Sequence, residues 1–315
     1  MSDRLPPLTA LRAFDAAARH MSFSRAAAEL GVTPAALSFQ IKSLEEHLEA
    51  PLFRRLNRAV ELTDAGRALT PGASDGFKAL TAAWRAARRT LDQTTLTVTA
   101  GPAFTAKWLA PRLFKFAEAH PEIELRFSAT LRLMDFSRDD VDVAIRFGMA
   151  KKEPGLFSKP IIREWVTPMM TPALAAMYPK PADLARAPLL HQDDVAFLKP
   201  AIDWPAWFRA ANLPPRFAAG ARFSNADHAL DAAVADGGVV LGRISLAENS
   251  LRDGRLVMPY KIGLATEAQY RFVCPEAIEA RPHVRAFREW IEAETSTLEE
   301  YRVGMTFVSA AEVEA

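Results

Sequence analysis

The sequence predicts an α/β chain in which a helical N-terminal region with a short basic hairpin precedes a larger domain of alternating strands and helices. Three observations carry that prediction. Short helical patterns broken by single turn residues fill Leu8 to about Thr63, and one continuous helical pattern rich in Ala, Leu and Arg runs from Asp64 to about Gln93. From Leu96 onward, apolar runs such as Leu96 to Ala100, Ile123 to Ala129, Asp142 to Phe147 and Gly238 to Leu241 alternate with helical segments, which indicates a parallel sheet flanked by helices. The 315 residues exceed one ordinary domain. With 39 Lys and Arg against 38 Asp and Glu, global charge does not announce a nucleic-acid partner, so any basic surface has to be local.

The N-terminal region carries the most specific pattern. Ser24-Arg25-Ala26-Ala27-Ala28-Glu29-Leu30 reads as a short helix whose small residues let a second helix cross closely, and Gly31 supplies the turn. Thr33 and Pro34 form an N-cap and first-turn pair that starts the next helix at a fixed place. On that helix Leu37, Ile41, Leu44 and Leu48 make one apolar stripe, while Ala35, Ser38, Phe39 and Lys42 line the opposite side. A helix held by one face and offering small, hydroxyl, aromatic and cationic groups on the other suits a major groove, where base edges need hydrogen-bond partners and the thymine methyl needs apolar contact.

A helical hairpin with a solvated face fits those residues equally well, and the next segment separates the two readings. Pro51 to Thr63 reads as strand, turn and strand, with Asn57 in the turn and Arg54, Arg55 and Arg58 clustered about it. A cationic hairpin beside such a helix is a wing that grips phosphates or enters a minor groove. Residues 1–63 are therefore expected to form a winged helix-turn-helix on double-stranded operator DNA, touching it through Ser24, Thr33, Ala35, Ser38, Phe39, Lys42, Arg54, Arg55 and Arg58.

Residues 64–93 are expected to be a linker helix capped by Thr63. Phe77, Leu80, Trp84, Ala87 and Leu91 recur at spacings of 3, 4, 3 and 4, the seam of a short coiled coil, with Arg85, Arg88 and Arg89 off the seam. The alternative is that this stripe packs on its own domain. Pro71, Gly72 and Gly76 are expected to weaken or kink the first half.

In residues 94–300, Thr97 to Ala100 runs into Gly101-Pro102-Ala103-Phe104, with a helix expected near Thr105. A second strand-to-helix turn is Phe223-Ser224-Asn225, followed by a helix over Ala226 to Ala235 that Ser224 or Asn225 would cap and Gly237-Gly238 would end. Such turns gather free N–H groups and the positive end of a helix dipole. The single cysteine, Cys274, excludes an intramolecular disulfide, and its setting in Tyr270 to Cys274 reads as a buried strand. Met1 to Pro7 lacks an apolar signal core, and no later stretch approaches the roughly 20 apolar residues of a membrane span, so a soluble cytoplasmic protein is expected. Residues 301–315 are assigned to a tail, of which the small, acidic stretch Val308 to Ala315 is expected to fray.

Leu11, Phe14, Ser22-Phe23-Ser24, Ala26-Ala27, Leu30, Ser38, Ile41, Leu44-Glu45, Leu48, Pro51-Leu52-Phe53-Arg54-Arg55, Leu62-Thr63 and Gly66 together resemble the N-terminal domain of LysR-type transcriptional regulators. Leu8 to His20, Trp108-Leu109-Ala110-Pro111-Arg112-Leu113 and Asp142 to Gly148 resemble the branch of glycine-cleavage activators and β-lactamase regulators. The resemblance covers the chain to about Glu292. It implies a two-lobed effector domain like periplasmic binding proteins, with lobe I at 96–167 and 260–292 and lobe II at 168–259. It further implies a small polar metabolite as effector, a homodimer or homotetramer paired through the linker helix, and RNA polymerase as a partner if the protein activates. The effector positions it carries over are Gly101, Pro102, Ala103, Phe104, Thr130, Arg146, Phe147, Ser224 and Asn225, with Arg146 supplying a fixed positive charge.

Two departures bear on specificity. Pro34 stands where the family usually has glutamine and Phe39 where histidine or arginine is commoner, so the operator cannot be carried over from relatives. Pro102 and Ala103 replace hydroxyls that relatives often have, which weakens the case for a carboxylate effector at that loop. An enzyme or an exported solute-binding protein on the same α/β scaffold are the other classes. The six histidines are dispersed, no H-E-x-x-H or G-x-S-x-G occurs, and Asp139-Asp140 with Asp142, and Asp193-Asp194, read as solvated acidic surface, so neither catalysis, a metal nor a cofactor is expected.

Overall fold

The computed structural model describes residues 5–56, 59–91, 94–136, 139–149, 152–215 and 220–313. The chain divides into two compact units, one formed by the residues up to Leu91 and one by nearly all of the rest.

The first unit is a three-helix cluster with a hairpin. Helices α1 (Leu8–His20), α2 (Phe23–Leu30) and α3 (Pro34–Leu48) enclose Ala10, Phe14, Ala17, Ala26, Leu37 and Ile41, with the alanines letting the helices approach closely. Gly31 takes the left-handed conformation at φ 65° that ends α2, and Thr33 Oγ1 accepts the Ala36 amide at 3.1 Å to start α3. Leu37, Ile41 and Leu44 are buried as the stripe predicts, whereas Leu48 is 48% exposed because α3 runs past the core before ending at Glu49. Strands β1 (Phe53–Leu56) and β2 (Ala59–Leu62) pair antiparallel, Phe53 opposite Leu62. The hairpin is pinned to α3 by Glu45, whose Oε1 accepts the amides of Leu52 and Phe53 at 2.8 and 3.2 Å.

Helix α4 (Asp64–Leu91) is then a single helix with Pro71 inside it. Thr63 caps it, accepting the Gly66 amide at 3.1 Å and donating to the Pro51 carbonyl at 2.7 Å. Gly66 is required there: a Cβ would lie 2.3 Å from the Leu52 carbonyl oxygen.

The second unit is a mixed sheet flanked by helices. Its strands are β3 (Thr95–Ala100), β4 (Glu124–Ala129), β5 (Val143–Gly148), β6 (Leu156–Met169), β7 (Leu189–Gln192), β8 (Arg222–Phe223), β9 (Val239–Arg243), β10 (Ile262–Pro275) and β11 (Thr306–Ser309). Their order is β4-β3-β5-β10-β6-β9-β7-β8, with β11 against β10. The two 14-residue strands β6 and β10 run through both halves, and a register shift between Ala265 and Gln269 separates the β10 segment that pairs with β5 from the segment that pairs with β11. This gives two lobes, β4-β3-β5 and β9-β7-β8, joined by shared strands.

The helices are α5 (Pro102–Phe104), α6 (Leu113–Ala119), α7 (Pro172–Met177), α8 (Trp204–Ala210), α9 (Ala226–Val234), α10 (Ile244–Arg252), α11 (Pro282–Ser296) and α12 (Ala310–Val313). The first begins at Pro102, not near Thr105, and a wide turn at Thr105–Leu109 continues it. Although α9 and α10 lie between residues 168 and 259, their apolar faces share one core with Phe104, Trp108 and Phe116 of the first lobe. The junction is polar as well as apolar: Arg112 pairs with Glu248 at 2.5 Å, Trp108 Nε1 donates to Glu248 at 2.9 Å, and Lys107 pairs with Asp231 at 2.5 Å.

Cys274 is buried and free, and burial pushes its thiol up to about 12. The C-terminal segment does not fray where it is described. Phe307 packs edge-on to Trp165 at 5.1 Å, α12 packs on α8, and Arg209 Nε donates to the Val313 carbonyl at 2.5 Å. Strand pairing with β10 supplies the order that the small, acidic composition does not suggest.

Candidate DNA-binding face and effector site

With Leu37, Ile41 and Leu44 inward, α3 presents Ala35, Phe39 and Lys42 outward and Ser38 half-exposed. Phe39 is 70% exposed, which no folding requirement explains. Lys42 reaches Glu46 at 3.6 Å, a loose surface pair that leaves the ammonium available. Ser24 at the start of α2, Thr33 before α3 and Arg54 on β1 are exposed too. Arg58 and the side chain of Arg55 lie outside the described residues; the described wing arginine is Arg54, which stands opposite Glu61 toward the base of the hairpin.

A charge network steadies the helix-turn-helix from behind. Glu29 of α2 takes Arg19 at 2.5 Å and His20 at 2.6 Å from α1, and Arg19 also holds Asp15 at 3.1 Å. The hydrogen bonds from Arg19 and then His20 hold the Glu29 carboxyl down at about 2.

On α4, Leu80 and Trp84 are 53% and 68% exposed, Ala87 is exposed and Phe77 half-buried. The side chains of Arg85, Arg88, Arg89 and Leu91 lie outside the described residues. An exposed apolar stripe on the outside of a helix lacks the covering that intramolecular packing would give it.

In the second unit, the loops after β3, β4 and β5 meet at the carboxyl ends of three adjacent parallel strands, where α/β sheets bind ligands. Gly101, Pro102 and Ala103 are half-exposed, and the Thr130 amide donates to Ala100 at 2.9 Å, which holds the two loops side by side. Phe104 is buried, stacked on Trp108 at 5.1 Å and Tyr270 at 4.3 Å, and so serves the core beneath the loop. Ser224 is exposed, and Asn225 occupies the N-cap of α9 without a side-chain cap bond, contrary to the expected capping role.

Arg146 was expected to offer a free charge, and the structure gives it other partners. It pairs with Glu153 at 3.1 Å, donates to the Met134 carbonyl at 2.9 Å and lies over Phe136. Alternation along β5 turns Arg146 away from the side of Phe147.

The cation beside Phe147 is Arg243, at the end of β9. Its guanidinium stands 5.0 Å from the centre of the Phe147 ring, its side chain is 4% exposed, and it pairs with Asp194. Asp193 takes Arg222 at 2.7 Å at the surface, as expected of a solvated group, whereas Asp142 is buried and its carboxylate accepts the Thr97 amide at 2.9 Å, and Asp194 is held by the buried Arg243. Beside Arg243, Glu164 is buried and accepts the Ser245 hydroxyl. Burial holds Glu164 above the ordinary carboxylate range against the pull of Ser245 and Arg243. A signal for Arg243 was present in the sequence: it is the one charge in Val239 to Leu246, an otherwise apolar or small run.

A reading helix with a basic wing, joined to a two-lobed α/β unit with loops gathered at strand ends, defines a DNA-binding regulator with a sensing domain. The family "Bacterial regulatory helix-turn-helix protein, lysR family" matches residues 8–67, and "LysR substrate binding domain" matches residues 89–296. The chain belongs to the LysR family of transcriptional regulators, proteins with an effector-binding domain and not enzymes. It is 39% identical over 304 residues to the glycine cleavage system transcriptional activator of Escherichia coli K12, covering 95% of this chain and 97% of that protein. It is 36% identical over 291 residues to the transcriptional activator AmpR of Pseudomonas aeruginosa, covering 90% and 94%. The effector domain of that AmpR superimposes with a TM-score of 0.55 at 28% identity, over 67% of this chain and 99% of that one. CrgA of Neisseria meningitidis shares the fold over 93% of this chain and 99% of its own, at a TM-score of 0.51 and 20% identity.

Among the described residues, no helix is long and apolar enough to cross a membrane, and no group of three or more His, Cys, Asp or Glu is placed to hold a metal ion.

Proposed function

We propose that this regulator reads its operator in the major groove with Ala35, Ser38, Phe39 and Lys42, while Ser24, Thr33 and the wing arginines, Arg54 among them, hold the backbone. The observation that carries this is the outward face of α3, where a 70% exposed phenylalanine stands beside a hydroxyl and an ammonium. Such a face offers an apolar contact for a thymine methyl and donors for base edges.

The α4 stripe of Phe77, Leu80, Trp84, Ala87 and Leu91 pairs two copies, because one wing-helix unit contacts only one half-site. The effector is a small polar metabolite held at Gly101, Pro102, Ala103, Thr130, Phe147, Ser224 and Asn225, and it acts in the cytoplasm on a protein bound to DNA. It shifts regulation only by binding two arrangements of the oligomer unequally.

The test is operator titration by fluorescence anisotropy across a range of salt. Arg54→Ala is expected to weaken binding on every sequence and to flatten the salt dependence by about one charge unit, whereas Phe39→Ala changes base preference at one position with the salt slope intact. Exchange of those two phenotypes would refute the assignment.

A further inference from the structure

Residues 297–313 lie beyond the match to the family's substrate-binding domain, which ends at residue 296, and they are held by partners on both lobes. On the side of the first lobe, the helical turn Thr297–Arg302 packs on α10 and on α11, which itself packs on β3, and Leu298 is buried there. On the side of the second lobe, α12 packs on α8, whose Trp204, Trp207 and Phe208 share a core with Leu189 of β7 and Val239 of β9, and Ala310 is buried in that core.

Between these anchors the segment crosses the strands that the lobes share. The Thr306 amide donates to the Lys261 carbonyl at 2.8 Å, and β11 then runs beside Ile262 to Ala265 of β10, just before the register shift that separates the two parts of that strand. Phe307 fits closely there. Its ring meets Trp165 of β6 edge-on at 5.1 Å, the Arg302 guanidinium stands 4.1 Å over it, and a Cβ at Gly263 would lie 2.7 Å from its Cε1. Gly263 thus leaves the space that seats the ring against β6 and β10 together. Relative motion of two lobes joined by continuous strands is absorbed by a few strand residues. A segment fixed on both sides of those residues resists the motion until one anchor lets go.

We propose that residues 297–313 are a strap across the hinge, which holds the two lobes in one arrangement and is released at its α12 end when they move. The strap acts with or without a ligand, and so goes beyond the effector site. A restraint that stabilises one arrangement raises the difference in affinity that an effector needs in order to reach the other. The α12 end yields first, because the opposite end continues from the 15-residue α11, whereas α12 has four residues and is held by Arg209 Nε on the Val313 carbonyl at 2.5 Å.

The experiment measures the distance between spin labels on the full chain at Glu118→Cys in α6 and Ala182→Cys in the second lobe, both exposed positions, with labelled chains diluted among unlabelled ones. Cys274 is buried with its thiol pushed up to about 12, so it stays unlabelled. One dominant distance is expected for the parent. Removing residues 304–315 is expected to raise the share of a second distance about tenfold, from roughly 1%, within the range of a minor state, to roughly 10% or more. Phe307→Ala, which keeps the strand pairing, shifts the share in the same direction, and it decides the matter should circular dichroism show that the shortened chain does not fold. A control pair within the first lobe, Glu118→Cys with Glu289→Cys, keeps its distance. An interlobe distribution that neither change alters overturns the proposal. A broadening that the control pair shares also overturns it, because the segment then supports the whole unit and not the arrangement of its lobes.

Discussion

Replacing Glu248 by alanine is expected to destabilise the sensing unit by about 3 kcal/mol, the lower end of the range for breaking a buried ion pair. Arg112 and Glu248 have side chains 5% and 7% exposed and meet at 2.5 Å, while Trp108 Nε1 donates to the same carboxylate at 2.9 Å. Truncation strands a guanidinium and an indole N–H together. Two features keep the loss from the upper end: Arg112 retains the Trp108 carbonyl at 2.8 Å, and Glu294 stands 3.8 Å from its Nε. Since 1 kcal/mol moves the midpoint of a domain of 150–250 residues by roughly 2–4 °C, calorimetry should show a fall of roughly 6–12 °C. Glu248→Gln keeps an acceptor for Trp108 and should lose less. The double change Arg112→Met with Glu248→Leu should recover most of the loss, because it removes both charges and not one. A Glu248→Ala variant within about 1 kcal/mol of the parent, the size of an ordinary surface effect, would refute the reasoning.

Acid should weaken the helix-turn-helix through Glu29. Its folded carboxyl lies at about 2, below the ordinary value of 4.5, so the Arg19 and His20 contacts stabilise fully above pH 4.5 and are lost as pH falls towards 2. The stability gap between the parent and Glu29→Gln should therefore narrow across that window, and a gap independent of pH would contradict it. Trp84→Glu should give smaller species in sedimentation and poor operator binding, because it charges an apolar position that is 68% exposed on α4. Sedimentation identical to the parent would return the stripe to an intramolecular role.

What was legible in the sequence was what short-range chemistry dictates. The Thr33-Pro34 start, the Gly31 turn, the inward stripe of α3 and the paired wing strands all follow from local propensity and period, and the structure has each of them. The turn at Gly101 follows in the same way, whereas the position of Thr130 came only from the family resemblance. Long-range partnership was hidden. Arg146 and Arg243 look alike in one dimension, and only the pleat of β5 and the position of β9 decide that the first turns to Glu153 and the second to Phe147. Asp194 reads as solvated surface until Arg243 is seen beside it. The tail misled because composition suggests fraying, whereas strand pairing with β10 depends on an edge that the tail's own residues do not reveal.

The central claim is that the exposed face of α3 confers sequence-specific DNA binding. It is tested most directly by incubating the purified protein with sheared genomic DNA of its host and sequencing the bound fragments, alongside a Ser38→Ala, Phe39→Ala, Lys42→Ala variant. The account predicts discrete bound sites sharing a two-fold symmetric sequence for the parent, and uniform low binding without a shared sequence for the variant. The same set of sites for both proteins would contradict it.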